Sequence, residues 1–326
     1  MKSPRLPVLV APDSFKGSFS AREVADHVSA GLEQRGRDAV RLPVADGGDG
    51  TLDVLLAALG GERISARVSD PLGRPVDAEI GLLDDGRIAV VEAARASGLA
   101  LVGERERDAW AASTRGTGEL IVAAVDAGAR KVIVGAGGTA TTDGGAGAVA
   151  ALRDAGARPP IRVACDVRTP WERAARVFGP QKGADPDTVR RLERRLARLA
   201  RAAPRDPRGV PLTGCGGGLS GGLWAHFGAR LEPGAALVLD MVGFDERMRA
   251  ARFVVTGEGR IDAQTLAGKA VGEVATRSRQ GGVACHAVVG SENLDRFRER
   301  LLDLASVIEA PTDAALVEAG RVLADV

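Results

Sequence analysis

The sequence predicts an α/β protein whose parallel sheet is built from both ends of the chain, with the middle inserted as a second, mixed α/β domain. Three observations carry this. Short Val- and Ile-rich runs alternate with helix-length stretches near both ends, which is the rhythm of βαβ units. From Arg63 to Val102 the rhythm changes to short strand-like pieces parted by turn signals, an antiparallel meander. Loops that follow the predicted strands are dense in glycine, which supplies 43 of 326 residues, about twice the ordinary ~7 % share. The division that follows is a discontinuous domain, 1–62 plus 241–326, and an inserted domain, 63–240.

Leu6 to Ala11 is an apolar, Val-containing strand ending in Pro12-Asp13-Ser14, and Ser20 to Gln34 carries Val24, Val28 and Leu32 at helical spacing before Gly36. Ala39 to Ala45 reads as a second strand, stopped by Asp46-Gly47-Gly48-Asp49-Gly50-Thr51, and Leu52 to Leu59 as a helix ended by Gly60-Gly61. Ile64–Val68, Val76–Leu83 and Ile88–Ala93 are the meander strands, parted by Asp70-Pro71-Leu72-Gly73 and Asp84-Asp85-Gly86. Thr117 to Gly128 is an amphipathic helix leading to a buried strand, Lys131–Val134, that runs into Gly135-Ala136-Gly137-Gly138-Thr139. Arg162–Val167 is a strand. Pro186–Ala202 is an Arg-rich helix with Val189, Leu192, Leu196 and Leu199 inward and a solvated basic face. Gly209 to Ala229 is uncharged for 21 residues, but Pro211, His226 and eight glycines would expose backbone to lipid, so it reads as a loop. Strands at Ala236–Asp240, Phe253–Thr256, Ala284–Val289 and Val307–Glu309, with helices between them, complete the α/β pattern.

Composition narrows the function classes. Lys plus Arg is 44 and Asp plus Glu 43, a net charge of +1, which lacks the field that recruits nucleic acid or an anionic membrane. Tyrosine is absent and aromatics make up 3 %, which disfavours base-stacking modules. The expected partner is a small molecule. Cys165, Cys215 and Cys285 are widely spaced, and support neither a disulfide framework nor a zinc site. With no export signal visible, a cytoplasmic location is expected. His27, His226 and His286 are scattered and form no metal spacing or triad.

Familiar nucleotide motifs are weak. Gly268-Lys269 lacks the rest of a P-loop, and Gly216 to Gly221 matches G-x-G-x-x-G only within a glycine-saturated stretch. Lysine usage says more: only Lys2, Lys16, Lys131, Lys182 and Lys269 occur, and Lys16-Gly17, Lys182-Gly183 and Gly268-Lys269 each sit in a strand–helix loop. There a compact ammonium can reach a phosphate oxygen cradled by backbone amides, although a single such lysine is as readily an ordinary exposed loop residue. Asp13, Asp46, Asp49, Asp143, Asp166, Glu258 and Asp262 all follow predicted strands, the end at which open α/β sheets bind ligands. Phosphoryl transfer requires this inventory: a carboxylate for a metal, another to orient or deprotonate the attacking hydroxyl, and cations or amides for the transferred oxygens. Helix capping and turn closure account for about half of such aspartates, Asp49 and Asp13 first. D-G-G-x-G occurs twice, at Asp46–Gly50 and Asp143–Gly147.

The chain resembles the glycerate kinase type I family in Ala11-Pro-Asp-Ser-Phe-Lys-Gly17, Ala45-Asp-Gly-Gly-Asp-Gly-Thr51, Asp70-Pro-Leu-Gly-Arg74, Ser113-Thr-Arg-Gly-Thr-Gly-Glu-Leu120, Gly137-Gly-Thr-Ala-Thr-Thr-Asp-Gly-Gly145, Phe178-Gly-Pro-Gln-Lys-Gly-Ala184, Thr256-Gly-Glu-Gly-Arg-Ile-Asp262 and Gln264-Thr-Leu-Ala-Gly-Lys269. The resemblance implies a Rossmann-like domain with a second α/β domain inserted and an active site in the interdomain cleft. It also implies transfer of the γ-phosphate of ATP to D-glycerate with Mg2+, 2-phosphoglycerate being the favoured product. Carried over by position, Lys16, Asp46 and Asp262 are the expected catalytic residues. Asp262 or Asp46 orients or deprotonates the hydroxyl, the other holds magnesium, and Lys16 meets transition-state charge. Ser14 and Arg260 face glycerate, with Arg260 on its carboxylate. Gly137, Gly138, Thr139 and Asp143 form a phosphate-facing loop with Asp143 as a further metal candidate, and Gly257, Glu258, Gly259 and Lys269 belong to the nucleotide. The sequence departs from the family pattern at Asp49, Thr139, Thr142, Thr169 and Thr213–Gly218, which leaves open a different short hydroxy acid as acceptor or a weakened, binding-only homologue. A homodimer is compatible with these features.

Overall fold

A computed structural model describes residues 6–262, 265, 268–294 and 301–326. The chain opens with β1 (Val8–Pro12), α1 (Ala21–Gln34) and β2 (Ala39–Arg41). It continues through α2 (Thr51–Leu59), β3 (Glu62–Ser69), β4 (Pro75–Leu83), β5 (Ile88–Glu92), α3 (Ala94–Ser97), α4 (Arg115–Asp126), β6 (Lys131–Gly135), α5 (Ala146–Asp154) and β7 (Ile161–Cys165). Then come α6 (Ala174–Phe178), α7 (Pro186–Ala202), α8 (Leu219–Phe227), β8 (Arg230–Pro233), α9 (Gly234–Met241) and α10 (Phe244–Arg249). The described elements end with β9 (Val254–Glu258), α11 (Ala270–Gln280), β10 (Cys285–Val289), β11 (Ser306–Glu309) and α12 (Asp313–Ala324). They pack as two compact units, Met1–Asp46 with Ala235–Val326, and Gly47–Gly234.

The first unit holds a five-stranded sheet in the order β11-β10-β9-β1-β2, parallel throughout. Its central strands β1, β9 and β10 are buried at every position because both faces are covered. On one face Val8, Val10, Val255 and Val288 meet Val24, Val28 and Leu32 of α1 and Leu316, Ala319 and Leu323 of α12. On the other, Ala287 and Val289 meet Val271 of α11. Helix α1 starts where it does because Ser20 and Glu23 form a capping box. It crosses α12 through two glycines: a Cβ on Gly31 would stand 2.0 Å from Val317 O, and one on Gly320 2.1 Å from Val28 O. From β1 the chain crosses to β2 on one side, and from β9 to β10 on the other. The β1/β9 seam is therefore the topological switch point, where the loops diverge and leave a crevice.

The second unit holds a six-stranded sheet, β3-β4-β5-β6-β7-β8. β3, β4 and β5 form the antiparallel meander read from the sequence. β5 then pairs parallel with β6, and β6, β7 and β8 continue parallel. Its core joins Ile80, Val91, Leu120, Ile121, Val134, Leu152 and Val163 with Leu219 and Leu223 of α8. Helix α7 buries Leu192, Leu196 and Ala200, and Trp171 donates Nε1 to Leu196 O at 3.0 Å. On its basic face, Arg191 and Arg195 stack over Trp110, 4.3 and 5.3 Å from the ring centre.

The units divide at Asp46 and Gly234, earlier than the 62 and 240 read from the sequence. Helix α2 lies in the second unit because Leu52 and Leu56 pack on Gly81 of β4. Two sequence readings change. Ala236–Asp240 lies in helix α9, since a short run that is apolar all round cannot by itself declare a period. Gly209–Ala229 contains helix α8, whose glycines are set by packing: a Cβ on Gly221 would meet Trp171 Cε3 at 2.5 Å. No described helix is long and apolar enough to cross a membrane.

Candidate active site

The β1/β9 register, Pro12 beside Gly257, delivers Asp13 and Glu258 side by side at the strands' C-terminal ends. The segment after β2 keeps bonding to β1, with Leu42 N–H donating to Val10 O and Val44 N–H to Pro12 O, and so carries Asp46 to the same place. These three carboxylates, with Ser14, Lys16, Ser18, Gly259, Arg260, Asp262 and Lys269, line one cavity of about 260 Å³ within the first unit. Lys16 and Ser18 reach it from a turn clasped by the Phe15–Phe19 bridge.

The electrostatics of this cavity are those of crowded carboxylates. Burial, then the negative charge of Asp46, pushes the Asp13 carboxyl well above the ordinary range, despite the N–H of Ser14 (2.6 Å) and nearby Lys16. Burial also raises Glu258, although its Oε2 pairs with Lys269 Nζ at 3.2 Å and its Oε1 accepts from Thr265 Oγ1 at 2.5 Å. Asp262 receives a 3.9 Å contact from Arg260 Nε, and its own N–H donates to Thr265 Oγ1 at 3.1 Å.

The buried carboxylates fit a hard dication. Burial and the charge of Asp46 both work against a negative charge on Asp13, and a divalent cation would relieve that repulsion. Among the described residues no group of three or more His, Cys, Asp or Glu side chains encloses a metal on its own. Magnesium does not require one, since one or two carboxylates and the oxygens of a phosphorylated substrate suffice.

A second cavity, about 90 Å³, lies within the other unit, beyond the C-terminal ends of β6 and β7. Gly137, Gly138 and Thr139 line it with Asp166, Gln181, Lys182, Gly216 and Gly217. Lys182 is only 3 % exposed and donates to Thr141 O at 2.6 Å and Thr139 Oγ1 at 3.2 Å. Burial pulls its ammonium down to about 8, against the opposing pull of Cys215, Asp166 and Asp143.

The structure thus groups Ser14, Lys16, Asp46, Glu258, Gly259, Arg260, Asp262 and Lys269 in one place and Gly137, Gly138 and Thr139 in another. Gly257 stays inside β9 and lines neither cavity. Asp143 is the clearest departure from expectation. It is 1 % exposed, with Oδ2 accepting from Thr114 N, Thr114 Oγ1 and Gly147 N at 2.9, 2.8 and 3.1 Å and Oδ1 from Gly145 N at 3.0 Å. Three donors on Oδ2 and one on Oδ1 tie it to its own loop and to Thr114, so the residue organises that loop, and it lines neither cavity. Asp13, which a capping role would explain, instead lines the first cavity. Only the strand register, absent from a single sequence, places it there. Residues 264, 266 and 267 of the Gln264–Lys269 segment, and Lys2, lie outside the described residues.

The glycerate kinase family model matches residues 8–158 and 153–324. The chain is 40 % identical over 323 residues to a glycerate kinase of Halalkalibacterium halodurans, covering 87 % of this chain and 85 % of that one. It is 39 % identical over 301 residues to the glycerate 2-kinase of Escherichia coli, covering 80 % and 79 %. The crystal structure of a putative glycerate kinase 2 from Salmonella typhimurium aligns with a TM-score of 0.84 at 33 % identity, covering 98 % of both chains.

Proposed function

The chain belongs to the glycerate kinase family, and on that premise we propose that it phosphorylates D-glycerate from ATP with Mg2+, giving 2-phosphoglycerate. One observation carries the reading: Asp13, Asp46, Glu258 and Asp262 converge with Lys16, Arg260 and Lys269 at the switch point of a parallel sheet. Asp13 and Asp46 would hold magnesium, which supplies charge neutralisation to the nucleotide's phosphate oxygens. Asp262, or Asp46 where it is not occupied by the metal, orients the acceptor hydroxyl and takes its proton as the O–P bond forms and ADP leaves. Lys16, on its turn, meets the charge on the transferred oxygens. Lys269 is held by Glu258 at the start of α11, a placement suited to the nucleotide's phosphates. The thiols of Cys165, Cys215 and Cys285 are free and buried, in keeping with a reducing cytoplasm.

The test is ADP release with magnesium and D-glycerate, the product's phosphate position being read by phosphorus NMR. Glycerate-dependent turnover with the phosphate on the C2 oxygen is expected. A C3 phosphate would overturn the regiochemistry, and folded protein inert toward glycerate would overturn the substrate.

A further inference from the structure

We propose that the smaller cavity, in the second unit, is where the acid's carboxylate end is recognised, with Lys182 taking the carboxylate and Asp166 accepting from the hydroxyl that is not phosphorylated. This rests on the glycerate kinase reading and names the residues that would give it substrate selectivity.

Size comes first. The cavity is about 90 Å³ against about 260 Å³ for the first, which favours the small acid over the nucleotide. Charge comes second. Lys182 and Asp166 are the charged residues on its wall. An ammonium alone would welcome a phosphoryl group, but Asp166 on the same wall repels a group carrying more than one negative charge. A monoanionic acid with hydroxyl donors satisfies both side chains at once. Third, the pair is held in place. Thr141 O and Thr139 Oγ1 fix the ammonium, the Phe178 ring lies 5.9 Å from it, and Cys215 donates its Sγ–H to Asp166 Oδ1 at 3.0 Å. A Cβ on Gly137 would stand 2.8 Å from Asp166 Oδ2, so glycine keeps that flank clear. Burial makes Lys182 a strong recognition group, because a desolvated ammonium gains more from an anion than one in water. Arg260, expected from the sequence to take the carboxylate, has a side chain 64 % exposed and is the weaker candidate.

Burial outweighs the pull of Cys215, Asp166 and Asp143, the titratable groups that face Lys182, and brings its pKa down to about 8. The ammonium is therefore intact below about pH 8 and lost above it, whereas the acid's carboxylate and an arginine keep their charge throughout.

The experiment is steady-state kinetics of the full chain with D-glycerate and Mg-ATP. In Lys182→Met, KM for glycerate rises about 10–100-fold, the loss of one charged hydrogen bond, while KM for ATP stays within about twofold. In the wild type, KM for glycerate climbs about tenfold per pH unit above about 8, and Lys182→Arg abolishes the climb. A rise in KM for ATP instead, or a fall in kcat with both KM values unchanged, overturns the assignment. If Lys182→Met does not fold, the wild-type pH profile decides, and a flat KM for glycerate from pH 7 to 10 overturns it. Wild-type protein without glycerate-dependent turnover would remove the underlying reading as well, whereas active wild type with an indifferent Lys182→Met removes this inference alone.

Discussion

The two D-G-G-x-G loops share a signature and do opposite things. In the first, helix α2 begins five residues after Asp46, behind Gly50 in a left-handed conformation (φ 89°), and Thr51 Oγ1 closes the loop onto Gly48 O at 2.7 Å. The aspartate lines a cavity. In the second, helix α5 begins three residues after Asp143, behind Gly145 (φ 73°), and the aspartate becomes the acceptor for that helix's first amides and for Thr114. Two residues of offset thus separate a cavity-lining carboxylate from one that braces its own loop. A motif specifies a turn, and the element that follows decides which way its side chain faces.

Asp46→Asn should show the largest effect: kcat down about 10²–10⁴-fold in protein that still folds. Asp143→Asn should invert the pattern, losing about 2–3 kcal/mol of urea-unfolding free energy as amide hydrogens meet donors while the folded fraction keeps kcat within about tenfold. Equal kinetic damage from both would erase the distinction. Thr114→Val removes one donor to Asp143 and the acceptor for Ala148 N at 3.0 Å, and should cost about 1–2 kcal/mol in the same unfolding assay. Thr142, beside Asp143, carries a buried hydroxyl without a partner. Thr142→Val should therefore be neutral or raise stability by up to about 1 kcal/mol, seen as a higher urea midpoint. Asp49, exposed in the first loop, closes the series: Asp49→Ala should move stability by no more than about 0.5 kcal/mol, and a larger loss would give that loop the structural role assigned to its twin.

The strand–helix rhythm of the chain was legible because parallel strands buried on both faces must be apolar runs, and Val8–Ala11 and Val132–Val134 are such runs. The antiparallel meander was legible from its turn residues. The segment at 236–240 was not, because Ala-Ala-Leu-Val-Leu is apolar at every position and helix α9 is chosen by packing. Nor was α8, whose glycines oppose a helix by propensity and fit one only because Trp171 and Gly144 press against them. At the candidate site, Lys16, Asp46, Glu258 and Asp262 were visible as residues after strands. Asp13 stood among them but was discounted as a cap, because an aspartate ending a strand looks the same whether it caps a turn or faces a ligand. The difference lies in β9, more than 240 residues further along, lying beside β1.

That pairing has a consequence for how the protein is made. β1 must wait on the ribosome for β9, and α1 for the glycine of α12 that it crosses. In between emerge about 190 residues that form a compact unit of their own, at roughly 5–20 residues per second. The inserted unit can therefore fold during synthesis, while β1 and α1 spend on the order of ten to forty seconds with apolar surface uncovered. Proteolysis of stalled nascent chains should find Gly47–Gly234 protected before the segment that precedes it. A chaperone recruited during synthesis would find its binding surface in Val8, Val10, Val24 and Leu32, the residues that later become the centre of the sheet's core.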